Sequence, residues 1–263
     1  MSYNNRLALV TGASAGLGVD FARQLAEAGC DLVLVARRQE NLERLADEIE
    51  QGTGRRPVVR PCDLSSAEER QKVAQDFPEV DILINNAGVG VFGRFADSEW
   101  DRVAQMVEVD IAALTHLTHL FLPGMKERKW GRILQVASTA AFQPCPSLAS
   151  YAASKSYVLN FSLALDHELK GSGVVSSCLC PGATATEFVE VSGQQLSDFM
   201  RRSQMTSPEV VEIGLKGLEQ GRPYVIAGRM NAFLAFSTRF MPVGLVTAIS
   251  DFILRPPTVA VAR

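Results

Sequence analysis

Residues 7–18 read LALVTGASAGLG, and residues 17–28 have the period of an amphipathic helix. A short apolar run that leads through a glycine-rich turn into a helix is typical of a dinucleotide-binding unit. Glycine permits a tight turn and close approach of the backbone to a pyrophosphate, and the first turn of the helix offers unpaired N–H groups. The spacing TGxxxGxG differs from the general GxGxxG fingerprint, so close packing of a glycine-rich turn is the alternative interpretation.

The rest of the chain alternates apolar runs of strand length with segments of helical period, which indicates a parallel sheet with crossover helices. The predicted strands are 7–11, 32–36, 58–62, 82–85, 133–137, 174–180 and 224–226. The predicted helices are 17–28, 39–50, 67–77, 100–128, 151–170 and 208–220. We therefore expect an α/β fold: a doubly wound parallel sheet of about seven strands, with helices on both faces, in a single domain.

The sequence becomes less regular toward its C-terminal end. We expect residues 1–228 to hold the sheet, with a substrate lid over about residues 186–207, and residues 229–263 to pack on the same domain as a helical extension. Residues 231–254 are rich in apolar side chains but lack an uninterrupted run of the roughly 20 residues that would span a bilayer. Two short helices there could close a pocket, form a dimer contact or rest on a membrane surface.

The composition is that of a globular protein, with 47% hydrophobic and 21% charged residues and a formal net charge of -3. Nucleic-acid binding needs clustered Lys and Arg, so we expect a small-molecule ligand and no nucleic-acid partner. The polar N-terminus lacks a signal-peptide pattern, which predicts a cytoplasmic location. The five cysteines form no CxxC or Cys/His set, and His116 and His119 lack further ligands nearby, so no metal site is predicted.

The end of the second predicted strand bears on the choice of cofactor. A carboxylate at this place holds the ribose 2'-hydroxyl of NAD, whereas arginine attracts the 2'-phosphate of NADP. Here Ala36 is followed by Arg37 and Arg38, which favours NADP(H). The alternative is that the two arginines begin a solvated helix and face Glu40 and Asp47.

Asp63 directly follows the third predicted strand. Its carboxylate could accept a hydrogen bond from the adenine amino group. The alternative role is structural, close to the start of a helix that Ser65 can cap.

Candidate catalytic side chains follow the fifth predicted strand. Ser138 comes first, and YAASK then spans residues 151–155 at the start of a helix. Positions i and i+4 share a helix face, so Tyr151 and Lys155 can project into one site. The lysine is predicted to lower the pKa of the phenol from about 10 toward working pH, which makes Tyr151 a general acid or base. Ser138 can donate a second hydrogen bond to a carbonyl oxygen as charge develops on it.

Taken together, these motifs resemble the short-chain dehydrogenase/reductase family over at least residues 6–188. The motifs that carry the resemblance are TGASAGLG at 11–18, NNAG at 85–88, Ser138, YAASK at 151–155 and PGATATEF at 181–188. LVLVARRQENLERLADEI at 32–49 and PCDLSS at 61–66 resemble the NADP-preferring bacterial branch.

The resemblance implies a Rossmann-like fold and transfer of the 4-pro-S hydride of the nicotinamide to or from a carbonyl carbon, with Tyr151 protonating the nascent alkoxide. It also implies that Lys155 binds the nicotinamide ribose and that Asn86 stabilises the central strands. Members are commonly dimers or tetramers, so a homodimer or homotetramer is expected. The predicted cofactor-binding residues are Gly12, Ser14, Ala15, Gly16, Leu17, Gly18, Arg37, Arg38, Asp63, Leu64, Asn86, Ala87, Gly88, Tyr151, Lys155, Pro181, Gly182, Thr184 and Thr186.

One position departs from the family pattern. Asp110 stands where most members carry an asparagine that helps to position a water near the active-site lysine. Aspartate is nearly isosteric but loses the amide donor and adds a charge, so it would hold Lys155 more firmly cationic. We include Asp110 with Ser138, Tyr151 and Lys155 as a catalytic candidate; the alternative is a neutral structural replacement.

The sequence thus predicts an NADP(H)-dependent reductase or dehydrogenase for a small carbonyl or alcohol substrate. Phe92, Phe95, Phe142 and Phe188 near the predicted cleft indicate a moderately apolar substrate. Cys145 could line the same pocket, with nothing beside it to make the thiol a nucleophile. The alternative function is a catalytically weak, dinucleotide-binding regulatory protein.

Overall fold

The computed structural model describes residues 3–194 and 196–255. Its centre is a seven-stranded parallel sheet with the order β3-β2-β1-β4-β5-β6-β7. The strands are β1 Leu7–Thr11, β2 Asp31–Ala36, β3 Val58–Pro61, β4 Ile82–Asn85, β5 Gly131–Val136, β6 Val174–Cys180 and β7 Tyr224–Ile226. This is the predicted doubly wound fold, and each predicted strand is present within two residues of its expected bounds.

Helices cover both faces of the sheet because successive strand residues point to opposite sides. In β1, Ala8 and Val10 pack into one core and Leu9 into the other. The helices are α1 Leu17–Glu27, α2 Gln39–Thr53, α3 Ala67–Asp76, α4 Trp100–Val107, α5 Leu114–Glu127, α6 Ala149–Glu168, α7 Phe188–Ser192, α8 Asp198–Arg202, α9 Ser207–Glu219, α10 Arg229–Ser237 and α11 Val243–Leu254. Side chains of α1, α2 and α9 fill the first core, and those of α3, α5 and α6 fill the second.

The predicted helix 100–128 is wrong in one respect. It is divided into α4 and α5 by a wider π-helical turn at Glu108–Ala113. Such turns add a residue to the helical ladder and are frequent at functional sites. Sequence periodicity does not reveal one extra residue within a long apolar helix.

The segment predicted to form a lid contains two short helices, and the described part of the C-terminal segment is largely helical. The predicted lid contains α7 and α8, and Gln195 within it lies outside the described residues. Within the predicted extension, α10 and α11 are present and residues 256–263 lie outside the described part. None of the helices within residues 3–194 and 196–255 is long and apolar enough to cross a membrane.

The chain leaves β1 in one direction to β2 and returns on the other side at β4, so β1 and β4 are adjacent. Ligands of doubly wound sheets bind beyond the carboxyl ends of the strands at this switch point. The glycine-rich turn follows β1 and the NNAG motif overlaps the end of β4, so both motifs lie at that edge.

Candidate active site

The turn after β1 is compact because of its glycines. Gly12 has φ +68°, and a Cβ there would lie 2.9 Å from the Ala87 Cα and from the Asn86 side-chain nitrogen. A Cβ at Gly18 would lie 2.2 Å from the carbonyl oxygen of Gly12. The two glycines therefore allow the start of α1 and the end of β4 to close around the turn.

A cleft of about 730 Å³ opens at this edge of the sheet. It brings together nearly all of the predicted cofactor-binding residues and Ser138. The predicted residues that line it are Gly12, Ser14, Ala15, Gly16, Leu17, Arg37, Arg38, Asp63, Leu64, Asn86, Ala87, Gly88, Tyr151, Lys155, Pro181, Gly182, Thr184 and Thr186. Gly18 is absent from this lining because it faces the Gly12 carbonyl, and Asp110 is absent because it is fully buried behind Lys155.

The two arginines after β2 face the cleft and not the acids of their own helix. Arg38 Nε donates to Ser14 Oγ at 3.3 Å, and Arg38 Nη1 lies 3.1 Å from the Glu187 carboxylate. Asp47, one of the alternative partners, pairs with Arg56. Arg37 is exposed and forms no ion pair within the described residues, so its guanidinium is available to a ligand in the cleft.

Hydrogen bonds within its own turn partly satisfy the carboxylate of Asp63. It accepts hydrogen bonds from the Ser65 amide at 3.0 Å and the Ser65 hydroxyl at 2.8 Å. These bonds, from the amide above all, lower the pKa of Asp63 despite its partial burial, and Arg37 lowers it further. Ser66, and not Ser65 as predicted, caps α3 by accepting from the Glu69 amide.

Asn86 connects the first and fourth strands. Its Nδ2 donates to the Thr11 carbonyl oxygen at 2.9 Å, and its amide donates to Thr11 Oγ1 at 3.0 Å. The contact holds the carboxyl ends of β1 and β4 together beside the cleft.

Ser138, Tyr151 and Lys155 meet at the inner end of the cleft. Ser138 follows β5, and its Oγ accepts a hydrogen bond from the Ala140 amide at 3.1 Å at the start of a short helical turn. Tyr151 and Lys155 are buried near the start of α6, and the ammonium lies 5.5 Å from the phenol ring centre. The Lys155 ammonium also donates to the Val136 carbonyl oxygen at 3.3 Å.

Asp110 forms a buried ion pair with Lys155. Its Oδ2 lies 3.0 Å from Nζ, and its Oδ1 accepts the Val89 amide at 2.7 Å. Burial raises the pKa of the Asp110 carboxyl, while Lys155 and the Val89 amide oppose that rise. Burial disfavours the charged lysine as well, but Asp110 and Tyr151 outweigh it, so the pKa of Lys155 is raised. The predicted effect of Asp110 on Lys155 therefore has a direct geometric basis.

The pKa of Tyr151 departs from the sequence prediction. Burial raises it above its ordinary value of 10, and Asp110 adds to the rise. Lys155 lowers the pKa as predicted, and so does a hydrogen bond with Ser138, but the net direction is upward. The prediction erred because spacing reveals the partner of a phenol and not the depth at which it is buried.

Of the four phenylalanines predicted near the cleft, one lines its apolar end. Phe188 lines it and packs on Tyr151, with ring centres 5.3 Å apart. Phe95 is 60% exposed, and Phe142 lines a separate surface pocket beside β7. Phe92 packs beside the cluster around Tyr151 without lining the cleft.

Side chains of α8, α10 and α11 complete this end. The cleft-lining residues from these helices and the turn between them are Met200, Asn231, Leu234, Ala235, Ser237, Thr238, Met241, Val246, Ile249, Ser250, Ile253 and Leu254.

Two side chains of this region were missed by sequence reasoning. Glu187 pairs with Arg38 across the cleft, and its place within the PGATATEF motif was the available signal. Asn231 packs against Gly182 and donates to the Ala227 carbonyl oxygen at 2.7 Å. It lies on α10, where the sequence offers no motif.

The two remaining chemistries to consider are a cysteine nucleophile and a metal site. Cys145 lines the cleft, but burial raises the pKa of its thiol to about 11. Within the described part of the chain, no group of three or more His, Cys, Asp or Glu side chains could hold a metal ion.

The chain is similar to known proteins over most of its length. The short chain dehydrogenase family matches residues 6–197. The uncharacterized oxidoreductase YvaG of Bacillus subtilis (strain 168) is 31% identical over 259 residues, which cover 97% of this chain and 96% of YvaG.

Two solved structures share the fold over most of their length. A short-chain dehydrogenase from Sphingobium yanoikuyae in complex with NADPH has a TM-score of 0.79 and 29% identity, covering 90% of this chain and 95% of that one. A 3-ketoacyl-(acyl-carrier-protein) reductase from Brucella melitensis complexed with NADH has a TM-score of 0.76 and 26% identity, covering 86% and 97%. With the cleft and its motifs, these matches show that the chain belongs to the short-chain dehydrogenase/reductase family of oxidoreductases.

Proposed function

We propose that the protein transfers hydride between NADP(H) and the carbonyl or alcohol carbon of a small, moderately apolar substrate. The observation that carries this proposal is the convergence of Ser138, Tyr151 and Lys155 at the inner end of one cleft. Arg37 and Arg38 line the same cleft and offer positive charge to a phosphate.

The choice of NADP(H) rests on this chain's own residues, because the two similar structures hold different cofactors. Ala36 ends β2 where an acid would repel a 2'-phosphate, and Arg37 is exposed beside it. The turn at Gly12 leaves room for backbone N–H groups to approach a pyrophosphate. Lys155 would hold the nicotinamide ribose, and Thr184 or Thr186 would touch the carboxamide or pyrophosphate.

The bound cofactor supplies or accepts the hydride at the substrate carbon. In the reductive direction Tyr151 gives its phenolic proton to the substrate oxygen as charge develops there. Ser138 donates a second hydrogen bond to that oxygen. Lys155 stabilises the resulting phenolate electrostatically, while Asp110 holds the ammonium in place and moderates its effect on Tyr151.

An assay of NADPH absorbance with a panel of ketones and aldehydes tests this proposal. We expect consumption by the wild type and a loss of about 10²- to 10⁴-fold in kcat for Tyr151→Phe, the usual contribution of a positioned general acid. Unchanged turnover in Tyr151→Phe would contradict the assignment. NADPH binding without turnover on any substrate would instead support the regulatory alternative, which only the departure at Asp110 favours.

A homodimer or homotetramer remains our expectation from the family, and a cytoplasmic location remains our expectation from the sequence. The oligomeric state can be checked by sedimentation of the purified protein.

A further inference from the structure

The outer surface of α10 and α11 is unusually apolar. Seven large apolar side chains on these helices and the turn between them are each more than half exposed. We call them the outer patch: Met230 61%, Phe233 66%, Phe236 56%, Phe240 73%, Val243 67%, Leu245 51% and Phe252 75%. Patches of this kind mark sites of contact with another surface.

Helix α11 is apolar on its outer face as well as on its inner face, where Val246 is buried and lines the cleft. Ser250 is buried and lines the cleft, whereas Val243, Leu245 and Phe252 point outward. A surface helix of a globular protein normally places its polar face outside. The outer face of α11 is therefore suited to a non-aqueous environment.

Positive charge accompanies the outer patch. Arg229 and Arg239 are exposed and form no ion pair among residues 3–194 and 196–255, and Asp251 is paired with Arg255. The segment from α10 to Arg255 thus carries an excess of positive charge, although the whole chain has a formal net charge of -3. Anionic lipid headgroups attract arginines in this position.

The substrate end of the cleft reaches the surface at the same place. Leu234 on α10 and Ile249 on α11 both line the cleft, and they are 39% and 40% exposed. A second copy seated on both helices would cover these two residues and close that end of the cleft. It would also bury unpaired arginines, which is costly without partners.

We infer that α10 and α11 dock this protein on an anionic lipid surface through the outer patch, with Arg229 and Arg239 contacting headgroup phosphates. Since α11 spans twelve residues, or about 18 Å, it lies on the bilayer and does not cross a core of about 30 Å. Docking would turn the apolar end of the cleft toward the lipid. Entry of an apolar substrate from there rests on the proposed function, but the docking itself does not.

Flotation of the purified full-length chain with vesicles tests the docking without any need for turnover. Phosphatidylcholine vesicles are used with and without phosphatidylglycerol. We expect the wild type to float with the anionic vesicles and to be released by salt. Phe233→Ser/Phe240→Ser/Phe252→Ser should lower the partition coefficient at least tenfold, while Val58→Ser, an exposed apolar control on β3 at the other sheet edge, should not.

A charge variant keeps the test decisive if the triple variant unfolds. Arg229→Gln/Arg239→Gln should weaken binding to anionic vesicles by about fivefold per arginine, whereas Arg44→Gln on α2 should bind like the wild type. A wild type that does not float with anionic vesicles, or Arg variants that float like it, would overturn the proposal. Dissociation of a larger species by the Phe variants in size-exclusion chromatography, without vesicle binding by the wild type, would assign the outer patch to a contact between copies.

Discussion

Asp110 sets the electrostatics around the proposed proton donor. An uncharged amide at this position would leave the Lys155 charge free to favour the phenolate of Tyr151. The carboxylate instead lies 3.0 Å from the ammonium and counters that influence, and it adds directly to the rise in the pKa of Tyr151. The resulting site favours a protonated tyrosine, the form that serves carbonyl reduction.

This arrangement predicts a shift in pH dependence for Asp110→Asn. Removing the negative charge should lower the pKa of both Tyr151 and Lys155, because Asp110 raises both. Alcohol oxidation needs the phenolate, so its rise in rate with pH should move to lower pH. The decrease in the rate of carbonyl reduction at high pH should also move to lower pH.

Full pH–rate profiles of wild type and variant measure the effect. Asp101→Asn removes a similar charge from an exposed position on α4 and serves as the matched control. Superimposable profiles for Asp110→Asn and wild type would mean that Asp110 is an electrostatically neutral replacement.

Arg37 should determine cofactor choice. A hydrogen bond to a charged group contributes roughly 1.5–3 kcal/mol, so Arg37→Ser should raise the KM for NADPH by about ten- to a hundredfold. Kinetics with NADH should change little, since NADH lacks the 2'-phosphate. Arg44→Ser, which removes an exposed arginine outside the cleft, provides the comparison. An equal loss with both cofactors would remove the basis for the proposed NADP(H) preference.

At the scale of elements, a side-chain ion pair connects the segment after β6 to the start of α2 beside the cleft. Arg38 at the start of α2 contacts the glycine-rich turn through the Ser14 carbonyl oxygen and reaches Glu187 beside α7. A 2'-phosphate would compete with Glu187 for this arginine.

Glu187→Gln should therefore tighten NADPH binding. Both partners are half exposed, and such pairs contribute roughly 0–1 kcal/mol, so the expected decrease in Kd is at most about fivefold. Titration of NADPH and NADH by fluorescence measures it, with no change expected for NADH. Glu79→Gln, before β4 at the opposite end of the strands, controls for net charge. Weaker NADPH binding in Glu187→Gln would rule out competition.

The sequence predicted the strands and helices better than it predicted the interruption within one helix. The predicted strands and crossover helices agree with the structure because their apolar periods record burial directly. The π turn at Glu108–Ala113 was missed, since the same apolar residues satisfy a continuous helix. It is nevertheless the element that contains Asp110.

At the scale of the molecule, the meeting of the motifs in one cleft could be predicted, whereas the residues that line its apolar end could not. Motifs after β1, β4 and β5 converge because parallel strands end at the same edge of the sheet. Phe95 and Phe142 were misplaced, and Asn231 was missed, because chain segments distant in sequence meet there through packing alone.

The central claim is that this cleft carries out hydride transfer. The most direct measurement is mass spectrometry of the alcohol formed from a reducible ketone with NADPH deuterated at the 4-pro-S position. We predict one deuterium on the carbinol carbon of each product molecule, and no label when the 4-pro-R position is deuterated. Alcohol formed without deuterium from either cofactor, or no alcohol from any ketone tested, would contradict the account.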